Sequence, residues 1–93
     1  MITDEMVRAL KRKADLALAE WRHAWDYEKD PNRKKHAYEQ ALHHRARLEA
    51  YQIVQEKTRE HRGFALAEHP ANMDYLIQCV RSRLIDERAL RYE

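Results

Sequence analysis

The chain has 93 residues, 44% hydrophobic and 37% charged, with a net charge of +2 and a single cysteine. That length makes one domain, 1–93; the near-neutral charge excludes a polyelectrolyte tail, and the lone Cys79 excludes an intramolecular disulfide and suits a reducing compartment. No run approaches the roughly 18 apolar residues that cross a bilayer, and Met1–Glu5 lacks the basic and apolar regions of a signal peptide, so a cytoplasmic chain without membrane insertion is expected.

The first helix is predicted over about 4–29. Thr3 suits the N-cap, and Asp4 and Glu5 suit the positive end of the helix dipole. From there Val7, Leu10, Ala14, Ala17, Trp21 and Ala24 recur at alternating spacings of 3 and 4, an a/d seam of nearly three heptads. Leu18 and Trp25 widen it.

Asp30-Pro31-Asn32 then breaks the pattern. Proline cannot continue a helix's hydrogen bonding and biases the preceding residue away from helical geometry, so the chain is expected to fold back here. The second helix is predicted over about 33–62, ended by Gly63, the chain's only glycine, in the left-handed C-terminal position. Ala37, Ala41, His44, Leu48 and Tyr51 form its seam, which polar Gln55 and Thr58 would continue. Leu42, Ala46, Ala50, Ile53 and Val54 form a second apolar face. A helix apolar on two faces has two neighbours, the first helix and either a third helix or a second subunit.

Residues 64–69 read as a short connector, with Phe64 and Leu66 tucked against the hairpin. Pro70 suits the first turn of a third helix over about 71–91, with Met73, Leu76, Ile77, Val80 and Leu84 on its apolar side. The expected fold is therefore all-α: a long antiparallel hairpin plus a third helix, three-helix-bundle-like. Thirteen of the hydrophobic residues are alanine, and Leu, Ile, Val and Phe number only 17, so the core is thin. A small elongated chain buries a limited share of its surface. A homodimer through the second apolar face, or a partner that completes the core, is expected.

Residues able to do chemistry are scattered. His36, Glu39 and His43 share a helical face at metal-binding spacing, but a solvated polar face explains them more simply. Glu20 and His23 match the Glu-x-x-His repeat of ferritin-like bundles. With Trp21 on the seam, however, His23 points outward. His44 sits on the seam as a core or register histidine, and Cys79 reads as packing. Phosphate loops, nucleophile elbows and HExxH are absent from the sequence, so no cofactor, no metal and no enzyme are expected.

Residues 31–63 hold eight basic against four acidic side chains. Arg45, Arg47 and Arg59, with Tyr38 and Ile53 or Val54 as apolar anchors, are the expected partner contacts, because Arg and aromatic residues dominate interface energetics. Nucleic acid is the less favoured partner: pairs such as Arg45–Glu49 look like i,i+4 support of a solvated face, and the helices are too long for a helix-turn-helix.

In size, hairpin shape and Arg/Ala/His-rich composition, with 12 arginines to 6 lysines, the chain resembles the small all-helical proteins that actinobacterial phages encode to disturb their hosts. The resemblance implies a non-enzymatic interaction module that modulates or inhibits one host protein, such as a coiled-coil scaffold of polar growth. The alternatives are a nucleic-acid-binding accessory or regulatory protein and a ferritin-like metal-binding assembly.

Overall fold

The computed structural model describes residues 2–60 and 70–90, with side chains over 2–57 and 72–90. The fold is all-α and three-helix-bundle-like. Its elements are α1 (Asp4–Tyr27), α2 (Pro31–Glu60) and α3 (Pro70–Glu87). The long axis measures 49 Å against 24 and 21 Å across. At ~1.5 Å per residue, the 30 residues of α2 account for most of that length.

Thr3 caps α1 as its residue type predicts, its Oγ1 accepting from the Met6 N–H at 3.2 Å. The helix stops at Tyr27, two residues before the predicted end. Glu28 takes extended geometry (ψ 130°) while its own N–H still donates to the Ala24 carbonyl at 2.9 Å. Its carboxylate Oε1 then accepts from the Lys29 and Asp30 N–H groups, each at 3.1 Å. Asp30 caps the next helix, with Oδ1 accepting from the Asn32 N–H at 2.9 Å and its carbonyl from the Lys34 N–H at 3.1 Å. The reversal therefore occupies residues 28–30, earlier than the predicted Asp30-Pro31-Asn32. Pro31 is the first residue of α2, where a missing N–H costs nothing and the fixed φ helps.

The two apolar faces of α2 take separate neighbours. Ala41 and Leu48 are buried against Leu10, Ala14, Ala17 and Trp21 of α1. Leu42, Ala46, Ala50 and Val54 are buried against Met73, Ile77, Val80 and Leu84 of α3. Each fully buried Leu or Val contributes on the order of 1.5–3 kcal/mol, and the alanines let the backbones approach closely. α1 and α3 both pack on α2 and not on each other. The apolar face on which the dimer expectation rested is thus covered by α3. Where the seam turns polar, Gln55 Nε2 donates to Asp4 Oδ1 at 2.7 Å, tying α2 to the first turn of α1.

Pro70 opens α3, and Glu87 ends it four residues before the predicted Arg91. The reason is a Schellman closure. Arg88 has φ 54°, the Arg88 N–H donates to the Ile85 carbonyl at 3.1 Å, and the Ala89 N–H donates to that of Leu84 at 3.0 Å. Glycine normally fills this left-handed position. The turn sends Leu90 back onto α1, where its carbonyl accepts from Trp21 Nε1–H at 3.1 Å. The predicted Gly63 cap and the 64–69 connector lie outside the described residues.

Candidate interaction surface

The expected contact residues do not form one patch. Val54 is fully buried between α2 and α3, so it is core and not a surface anchor. Ile53 is half-buried at the margin of the same interface. The Tyr38 ring stacks edge-on against Trp21 at 5.3 Å and bridges the two core clusters, so its body is packing. Arg59 lies in α2 with its side chain outside the described set.

Arg45 and Arg47 sit on opposite margins of the α1–α2 seam. Arg45 Nε lies 3.4 Å from Glu49 Oε2, in a groove of about 340 Å³ shared by Ala14 and Leu18 of α1, Ala41 of α2, and Leu84. Glu49 also receives Arg83 of α3 at 3.3 Å, and Arg83 reaches Glu87 at 3.7 Å. The charges of this groove are paired across α2 and α3. Such half-exposed pairs hold register more than they add stability.

On the other margin, Arg47 lies over the Tyr51 ring at 5.6 Å. Together they border a depression of about 210 Å³ with Met6, Ala9, Leu10 and Lys13. His44 belongs to this margin, half-buried, its Nδ1 buried without a hydrogen-bond partner. Burial is the main cause holding its pKa below the ordinary histidine value, and the positive charges of His43, Arg47 and Lys13 add to it. Glu20 pulls the other way.

Sequence reading missed what continues along this margin. Leu16 is 62% exposed and Tyr27 73% exposed, with the His23 ring 4.8 Å from that of Tyr27. Lys13, Leu16, Glu20, His23 and Tyr27 follow at spacings of 3, 4, 3 and 4, a second stripe roughly a third of a turn from the buried seam. The same test that found the seam finds it, once the pattern is scored with polar residues admitted.

At the hairpin end, Lys34 Nζ lies 5.7 Å from the Trp25 ring centroid, and Trp25 stacks edge-on with Trp21 at 5.3 Å. Arg33, Lys34 and Lys35 occupy the first turn of α2, where the helix dipole disfavours cations. Glu28 and Asp30, each 3.9 Å from the Arg33 guanidinium, offset part of that.

The metal-ligand candidates stay apart. Glu20 and His23 are exposed on the outside of α1, and among the described residues no three His, Cys, Asp or Glu side chains come together as a metal would require. Cys79 is exposed on α3, not packed as its sequence context suggested. Among the described residues no helix is long and apolar enough to cross a membrane. No family model, curated protein or solved structure matches the chain.

Proposed function

We propose that this chain is a non-enzymatic interaction module that captures a partner protein, of the kind an actinobacterial phage uses to modulate a host protein such as a coiled-coil scaffold of polar growth. The observation that carries the reading is the exposure of large apolar and aromatic side chains, Leu16, Tyr27, Tyr75 and Ile85 among them, on a framework whose middle helix already buries both apolar faces. Exposed aromatic and aliphatic groups beside arginines are the usual energetic centres of protein interfaces. Arg45 and Arg47 keep their proposed contact role, and Ile53 and Tyr38 contribute their accessible edges.

The test is capture by the immobilised full chain, followed by reconstitution with the purified partner. Replacing Arg45 and Arg47 by Ala is expected to weaken the reconstituted complex. A chain that retains no protein, or a complex indifferent to both substitutions, overturns the reading.

A nucleic-acid-binding role is the second reading, favoured by the consecutive cations Arg33, Lys34 and Lys35. It predicts retardation of random duplex that falls steeply with salt. Absence of retardation at low salt removes it.

A further inference from the structure

We infer that the groove between α1 and α2, on the side away from the Arg45–Glu49–Arg83 ion pairs, is the seat of an acidic amphipathic helix supplied by a partner protein. The inference rests on the interaction-module reading and names where the partner lies and what it looks like.

Two stripes frame this groove. On α1, Lys13, Leu16, Glu20, His23 and Tyr27 recur at spacings of 3 or 4. On α2, Arg33, His36, Gln40, His44, Arg47 and Tyr51 do the same. The structure joins them: Lys13 and Arg47 border one depression, and His44 feels Lys13 and Glu20 of α1 as well as Arg47 of its own helix. The groove between two antiparallel helices is where a third helix of a bundle usually packs. Here α3 lies on the other face of α2 and leaves this groove open.

The groove offers apolar contacts at both ends, with Leu16 and Tyr27 towards the hairpin reversal and the depression lined by Met6, Ala9 and Tyr51 at the other. Anchors spaced like these match side chains at i, i+3, i+4 and i+7 of a docked helix.

Charge selects the occupant. Lys13, Arg33 and Arg47 face Glu20 as the one acidic member of the two stripes, and His23, His36 and His44 add positive charge wherever they protonate. A second copy docking by the same face would set these cations against their own kind, which disfavours a two-fold dimer here. Duplex phosphate would meet the cations but leave Leu16 and Tyr27 against a polar backbone. A helix with leucines along one side and carboxylates flanking them satisfies both.

The experiment titrates isotope-labelled full chain with a synthetic 21-residue helical peptide carrying Leu at a and d and Glu at e and g, and with its Lys counterpart, read by amide shifts. The expected result is saturable shifts around Leu16, His23, Tyr27, His44 and Arg47 with the acidic peptide alone. Leu16→Glu and Arg47→Glu should each weaken binding at least about ten-fold, with circular dichroism confirming the fold. Tyr27→Ala, at a side chain that makes little core contact, serves as the further variant should either charge substitution unfold the chain. Absence of shifts at millimolar peptide, equal binding of the Lys peptide, or shifts confined to α3 overturns the inference. So does a dimer in sedimentation equilibrium that Leu16→Glu dissociates, or duplex binding that the same variants abolish. A purified natural partner whose affinity ignores these variants sinks this inference and leaves the module reading standing, whereas a chain that captures nothing sinks the module reading itself.

Discussion

Replacing Leu48 by Ala tests the packing of α1 on α2 directly. Leu48 is 2% exposed and closes on Leu10 and Ala14, with Val7 and Tyr51 beside it. The substitution removes three carbons, about 2.4 kcal/mol of transfer free energy at ~0.8 kcal/mol per buried methylene. The cavity left behind brings the expected loss to about 3 kcal/mol. For a chain this small, whose whole stability is of order 5–10 kcal/mol, that is a large fraction. With a urea slope near 1 kcal/mol/M, the midpoint should fall by roughly 2–3 M. Far-UV circular dichroism and tryptophan fluorescence across a urea titration measure it. Leu16→Ala is the matched control: the same atoms leave a site that is 62% exposed, and the cost should stay within about 0.5 kcal/mol. A Leu48→Ala loss below about 1 kcal/mol, or a Leu16→Ala loss equal to it, would show that α1 does not rest on this side of α2.

Three further outcomes are expected. Because the folded pKa of His44 is lowered, the unfolded chain binds more protons just below its ordinary value of about 6.5. Stability should therefore fall as pH drops from about 6.5 towards that folded pKa; His44→Gln should flatten this part of the urea-midpoint profile, and parallel profiles for variant and parent would refute it. Arg88→Gly should stabilise by up to about 1 kcal/mol, since φ 54° suits glycine better than a residue with a Cβ; a destabilised variant in thermal melts would argue against the left-handed closure. Trp21→Phe should cost about 1 kcal/mol by stranding the Leu90 carbonyl; hydrogen exchange of residues 84–90 that does not quicken would contradict the tie.

Much of this architecture is legible before any coordinates. The spacing of Leu10, Ala14, Ala17 and Trp21 names the buried side of α1, and the doubled apolar pattern of α2 requires two neighbours. What periodicity cannot choose is which neighbour takes which face. Val54 reads as an open anchor until Met73, Ile77 and Val80 are seated against it, and that seating depends on the path of a connector, not on α2 itself. The end of α3 is illegible for a different reason. Helix-stop signals look for Gly, and here an arginine adopts the left-handed conformation, so the pattern overruns to residue 91. The open stripe of Leu16, His23 and Tyr27 is hidden because its members mix apolar, charged and imidazole groups, which dilutes a hydrophobic period.

The indole of Trp21 lies between the hairpin's two rods, edge-on to Tyr38, and also grips the carbonyl that follows the third rod's closing turn. A single chromophore consequently registers two docking events that are remote in sequence. Its emission should shift when the tail lets go, even while the hairpin stays zipped, so an optical signal native to the chain can time the release of its last segment.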